Sequence, residues 1–366
     1  VTFDTYYGFQ NLIKKMDMMD GPQYAIANNY VDSLRGNIPD SDFSDPSSLN
    51  STDWQDLLFP GGAIYNAHVS VSGGSEKSTY AISLDYFDEK GVIPTSFFKR
   101  YSLRNNLDFD LSKHIKVGTS LAGKGVSFNG DRPENNMLLA AMSLDPTISA
   151  TRPYTTIPDT LSLVPDDHEF YSPNDSIAWN NTPRGNTPNP MAQLYRNRTK
   201  YGMTWYDKIL TNNYIEIKPV DWISVKSIIG CDYTAGNGWY YNPIFYIDAT
   251  DQNQIDEFGY STNRYFSWNW ENTIEIKQEF GKNNFTLLGG TSAYDWNQNS
   301  FGFSKKYLGG SVNNETPPNM LLGSTGDIAY ANNEGFNSFS YRRYASVFGR
   351  LNYEYDDKYF LTATLR

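Results

Sequence analysis

Along most of this chain, apolar and aromatic residues recur at every second position in runs, and the connections between the runs alternate strictly between short and long. Tyr65, Ala67, Val69 and Val71 alternate with Asn66, His68, Ser70 and Ser72, and Gly73-Gly74-Ser75-Glu76-Lys77 then turns the chain. Tyr80, Ile82, Leu84 and Tyr86 run back against Ala81, Ser83 and Asp85. Tyr101, Leu103, Leu107 and Phe109 share one face of the next run, opposite Arg100, Ser102, Arg104, Asn106 and Asp108. The clearest later run sets Phe266, Trp268, Trp270, Ile274, Ile276 and Phe280 against Ser267, Asn269, Glu271, Thr273, Glu275 and Lys277. A period of two is the signature of a half-buried strand. Applied from Val1–Gln10 to Tyr359–Leu365, it predicts eleven strands, the weakest of them at 203–217.

The short turns fall at 73–78, 110–113, 218–221, 281–284 and 356–358, and the long connections at 11–62, 88–97, 124–202, 235–261 and 297–338. Two of the long ones carry helical patterns, around Gly21–Asp32 and at Met137–Leu144. Antiparallel strands place every second connection on the same edge, so all the long connections lie on one edge. A soluble β-fold has no need of that asymmetry. A transmembrane barrel does, because one rim only turns the chain while the other meets the ligand. The alternate faces agree: Arg100, Arg104 and Asp108, or Glu271, Glu275 and Lys277, would be costly in lipid and belong on a wet lumen. Tyr65, Trp222, Trp296 and Tyr359, near strand ends, suit the aromatic girdles of such a barrel. The expected fold is therefore all-β, a transmembrane antiparallel barrel with short periplasmic turns and long extracellular loops. Lipid is expected to touch Leu103, Leu107, Phe109, Ile274, Ile276 and Phe280.

Composition alone points the other way. Only 39% of the residues are apolar, 16% are aromatic, and the mean hydropathy is -0.57, which favours a soluble sandwich or propeller with an aromatic core. No run approaches the roughly 20 apolar residues of a membrane helix. Barrel strands escape that criterion because they show lipid only every second residue. The net charge of -11 argues against a nucleic-acid partner, which requires cationic contacts to phosphate. A single cysteine, Cys231, excludes an internal disulfide and reads as a small apolar filler. His68, His114 and His168 are too dispersed for a local metal motif, and no nucleophile elbow or phosphate-binding loop is present. An enzyme is not expected, and neither a cofactor nor a metal is implied. The acidic pairs Asp166-Asp167 and Asp356-Asp357 read as solvated loop or turn residues, and Asp251–Asn253 is a weak calcium-type pattern. Binding chemistry is expected in the connection 235–261, where Trp239, Tyr240 and Tyr241 with Asp248 and Asp251 could stack on and hydrogen-bond to a sugar or peptide. Packing of these aromatics against other loops, or against a lid protein, remains open.

Several stretches resemble the SusC/RagA family of TonB-dependent outer-membrane transporters. NAHVSVSGGSEKSTYAISLDYFDEKGVI at Asn66–Ile93 is similar to that family's early barrel hairpin, and KRYSLRNNLDFDLSKHIKVGTSL at Lys99–Leu121 to its next. TDWQD at Thr52–Asp56 resembles the motif preceding them, and VFGRLNYEYDDKYFLTATLR at Val347–Arg366 a later hairpin. The resemblance implies a barrel of usually 22 strands with an N-terminal plug and a SusD-like surface lipoprotein as lid. It also implies energy supplied through TonB with ExbB and ExbD, and import of glycans or peptides across the outer membrane. About eleven strands, no plug or TonB-box pattern, and an end at Arg366 within a strand predict that residues 1–366 are a partial barrel domain, lacking the plug, the TonB box and the C-terminal strands. The competing readings are a soluble or surface-exposed β-rich glycan-binding module and a passive porin.

Overall fold

A computed structural model describes residues 1–94, 96–129, 135–149, 202–242, 257–306 and 334–366, with ladder fragments at 151–153, 171–172, 176–178, 245–246 and 252–253 and residue 190. The eleven expected segments are strands of one sheet. They are β1 (Thr2–Gln10), β2 (Gly62–Ser75), β3 (Ser78–Lys90), β4 (Phe97–Ser112), β5 (Ile115–Asn129), β6 (Gly202–Val220), β7 (Ile223–Asn242), β8 (Glu257–Phe280), β9 (Asn283–Lys306), β10 (Glu334–Tyr355) and β11 (Tyr359–Leu365). Each pairs with its sequence neighbours, always antiparallel, so the sheet is a simple meander with β1 and β11 at its two open edges.

Residues directly opposite one another in a ladder share a face. Followed pair by pair, Phe3, Val69, Leu84, Leu103, Gly123, Ile209, Tyr233 and Phe266 form one row across β1–β8. One residue along, Asp4, His68, Asp85, Ser102, Lys124, Lys208, Thr234 and Tyr265 form the next, on the opposite face. Sidedness thus persists through the sheet. Large side chains on the apolar face stand uncovered: Leu84 is 52% exposed, Ile209 48%, Trp270 49% and Leu287 49%. A sheet face of this kind needs an apolar solvent or partner, and lipid supplies one.

From the first short turn to the fifth, eight strands on, the ladder ends move by about one residue per strand along the registers. With a rise of ~3.4 Å per residue and a strand spacing of ~4.8 Å, that stagger corresponds to a tilt of roughly 35°. Such a tilt is what barrel closure requires.

The strands outrun the roughly 9–11 residues that a tilted barrel strand needs to cross a membrane. β8 and β9 each have 24 residues and β10 has 22, so much of the supposed connections 235–261 and 297–338 is ladder. Beyond the lipid neither face must be apolar and the alternation fades, while backbone pairing continues in register. Trp296 also departs from the girdle expectation: it lies in the polar-face row with Arg104, Asp232 and Ser267, its ring 6.0 Å from that of Tyr265. Trp222 and Tyr359 do sit at short turns.

On the edge bearing the long connections, helices form at the two predicted places, and a further short one forms at Trp54–Leu58, where none was expected. Asp20 caps α1 (Gly21–Arg35) in a reciprocal capping box with Gln23, and Gly36 ends it at φ 72°. Asp53 caps α2 (Trp54–Leu58) by accepting from the Gln55 and Asp56 amides. Trp54 and Leu58 pack with Ile93 and with Ala140, Ala141 and Leu144, which belong to or follow α3 (Asn135–Ser143). The TDWQD stretch is therefore a clamp. Thr52 donates to Ile148 O (2.6 Å) and Trp54 Nε1 to Asp145 O (3.2 Å), tying the first long connection to the third, while Gln55 Nε2 donates to Met16 O (2.9 Å) within the first and Ile93 brings the second into the same small core.

Candidate functional site in the outer hairpins

The strand halves nearest the long connections rise well above the apolar belt. Trp239 lies 16 residues from the start of β7, which at the tilt above is roughly 45 Å from the turn, against an apolar band of ~25 Å. Of the candidate binding residues, Trp239 and Tyr240 belong to β7 rather than to a loop, and Tyr241 continues the same ladder opposite Phe258. Asp248 and Asp251 fall outside the described residues.

Adjacent strand residues face opposite ways, so Trp239 and Tyr240 start from opposite faces of the sheet, although both border one cavity. Trp239 shares a row with Tyr260 and Phe303, on the face that is apolar lower down. Its ring lies 6.4 Å from Phe258, which in turn lies 6.2 Å from Phe303 and is only 5% exposed. Tyr260 is oriented by a 3.1 Å hydrogen bond from its hydroxyl to Asn237 Oδ1.

Tyr240 takes the polar face. Its hydroxyl donates to Glu257 Oε1 at 2.7 Å, and its ring lies so close over Gly259 that a β-carbon there would fall 2.1 Å from a ring carbon. Glycine is thus required beneath it, and the tyrosine is held as a fixed plate. A cavity of about 580 Å³ opens beside this ring. Thr204, Gly238 and Ser261, successive members of one register row, contribute small side chains to its lining, and the rings of Trp239, Tyr240, Tyr260, Phe303 and Phe336 are its bulky members. A lining that combines flat rings with small groups and hydroxyls suits a polar oligomer that presents flat and hydroxylated or amide surfaces. Of this lining, the sequence reading named Trp239 and Tyr240 as candidates and did not name Thr204, Gly238, Ser261 or Phe336. These converge only through the register, and no local pattern marks them.

The three histidines are scattered. His68 lies on the polar face 3.8 Å from Asp85, His114 bonds Lys218 O from a short turn at 2.8 Å, and His168 is outside the described residues. Asp356 and Asp357 form the last short turn, both at φ 53°. Cys231 is half-buried on the apolar face, in line with a filler role.

No family model matches the chain. Among curated proteins it is 24% identical over 398 residues to the TonB-dependent receptor SusC of Bacteroides thetaiotaomicron, covering 100% of this chain and 34% of that protein. It is 29% identical over 325 residues to the TonB-dependent receptor P26 of Formosa agariphila, covering 87% of this chain and 29% of that protein. The chain spans about a third of the length of the curated relatives it matches. Among solved structures, that of the RagAB peptide transporter superposes with a TM-score of 0.71 at 19% identity, over 99% of this chain and 41% of that one. The chain is SusC/RagA-like. Its open meander has the fold of part of such a barrel wall. No helix among the described residues is long and apolar enough to cross a membrane, a criterion that leaves strands untouched.

Proposed function

We propose that residues 1–366 are a contiguous part of the wall of a SusC/RagA-type outer-membrane importer, whose remaining wall, plug and TonB-contacting segment belong to the same transporter. The observation that carries this reading is the two-faced eleven-stranded meander, whose apolar face is uncovered and whose long connections all leave from one edge. The cargo is an oligomeric nutrient, a glycan or a peptide, received in the outer-hairpin cavity beside Tyr240 and passed down the polar face. The clamped connections around Trp54 and the outer hairpins form the platform on which a SusD-like lipoprotein lid would close, and TonB with ExbB and ExbD would supply the energy. Nothing in this role needs a bond-making step, so the protein acts as a transporter rather than an enzyme.

The test is the intact mass of the native protein extracted from outer membranes in detergent, with co-purifying subunits identified. A mass far above 41.6 kDa together with a lipoprotein partner is expected. A soluble, monodisperse 41.6 kDa species would overturn the proposal in favour of a free β-rich module.

A further inference from the structure

In a chain of net charge -11, cations gather in one part of the polar face of β3–β6, a strip whose acidic members, Asp85, Glu89, Asp108, Asp110 and Glu216, lie partly beside them and partly further along the strands. Arg100, Arg104, Lys124 and Lys208 surround a recess of about 460 Å³, whose lining also includes the small side chains of Ser83, Ser102 and Ala122. The register dictates this arrangement. Arg104 stands between Ser83 and Ala122 in its row, while Ser102 and Lys124 are directly opposed one row away. Lys124 and Lys208 are themselves directly opposite in the ladder, a like-charge pairing that disfavours the sheet. Folding alone does not account for it.

Only part of this charge is answered. Asp85 binds Arg100 at 2.9 Å and Asp232 binds Lys208 at 2.8 Å. The Arg100 guanidinium lies 5.4 Å over the Phe87 ring and the Lys124 ammonium 5.3 Å over the Tyr206 ring, so aromatic faces fix these cations without neutralising them. Among the described residues, neither Arg104 nor Lys124 has a carboxylate partner, and the buried Nε of Arg100 has no hydrogen-bond partner. The geometry points to a lumenal subsite for the carboxylate groups of an acidic oligomer, with Arg104 and Lys124 as the groups that engage it. A recess of this size accommodates a short stretch of such a chain, and charge-assisted hydrogen bonds from a fork and an ammonium fit carboxylate well.

This inference rests on the transporter reading, because it takes the polar face to be the lumen. The test uses the full-length transporter purified in detergent, titrated calorimetrically with hexaglutamate, with a galacturonic-acid oligomer, and with maltohexaose as the neutral control. At least one acidic oligomer is expected to bind, to weaken steeply with salt, and to lose about tenfold in affinity in the R104Q/K124Q double variant. Which acidic oligomer binds tells whether a peptide or a sugar backbone carries the carboxylate. Lys277→Gln, on the same face near a short turn, is expected to leave binding unchanged and controls for general charge effects. Migration of the unheated double variant as a folded barrel on a gel controls for misfolding. Binding of neither acidic oligomer, or undiminished binding by a folded R104Q/K124Q protein, overturns the subsite. In that case the native-mass result still stands, so loss of the subsite and loss of the transporter reading are separable.

Discussion

Leu107→Arg, compared with Asn106→Arg, tests the sidedness on which the functional reading depends. Leu107 pairs with Tyr80 on one side and Thr119 on the other, on the apolar face. It lies five residues from Ser112, the end of β4, which at ~3.4 Å rise and roughly 35° tilt is about 14 Å above the short turn. That is close to the middle of a ~25 Å apolar band, where an arginine facing lipid costs about 2–4 kcal/mol. Asn106 has the same height but the opposite face, in a row with Ala81 and Ser120, where an arginine has room and water. Its expected cost is below about 1 kcal/mol, the range of substitutions away from packed features. The assay is urea unfolding of the full-length protein refolded into lipid vesicles, with stability from the linear dependence on denaturant. A loss of about 2–4 kcal/mol for Leu107→Arg beside a small change for Asn106→Arg is expected. Equal losses at the two positions, or a larger one at Asn106, would refute the assignment of faces and the barrel with it.

Other consequences are equally specific. A β-carbon at Gly118 would fall 2.2 Å from the Tyr214 ring, whose hydroxyl bonds Asp108 and whose face carries the Lys226 ammonium at 4.4 Å. Gly118→Ala should cost about 1–3 kcal/mol in the same unfolding assay. Leu58 is fully buried in the core that joins the long connections, so Leu58→Ala should cost about 2–5 kcal/mol locally. That loss would appear as faster proteolysis of connection 11–61 with the barrel intact, and unchanged cleavage would contradict the clamp. At the last short turn, hydrogen bonds from Lys282 (2.8 Å) and Lys358 (3.0 Å) hold the Asp356 carboxyl below its ordinary value of 3.8. Its contribution is therefore fully present above pH 3.8 and is lost as the pH falls through the lowered value. Amide exchange at 356–358 should accelerate over that range in the natural protein, and the acceleration should be absent in Asp356→Asn. Tyr240→Phe removes the 2.7 Å bond to Glu257 and should loosen the plate beside the outer cavity. The expected effect is several-fold weaker binding of the cargo oligomer with unchanged barrel stability, read by calorimetry.

Much of the architecture follows from the sequence by itself. The period of two identified each strand and its apolar face, because every second residue must satisfy lipid and its neighbour water. The alternation of turn and loop lengths set the meander and put the long connections on one edge, since antiparallel pairing leaves no other arrangement. Helical patterns marked the helices that begin at Gly21 and Asn135, whereas the short helix after Asp53 showed only in the structure. What the sequence left undetermined is what register and distance decide. Strand pairing continues above the membrane, where both faces are wet and no alternation signals it, so Trp239 and Tyr240 read as a loop although they lie in a strand on opposite faces. Trp296 looks like a girdle residue until the ladder fixes its parity. Thr204, Gly238, Ser261 and Phe336 are separated by dozens of residues and meet only because five strands are in register. The same holds for Arg104, Lys124 and Lys208, whose shared recess exists only in the folded sheet, where backbone hydrogen bonds outweigh the repulsion between the charges they bring together.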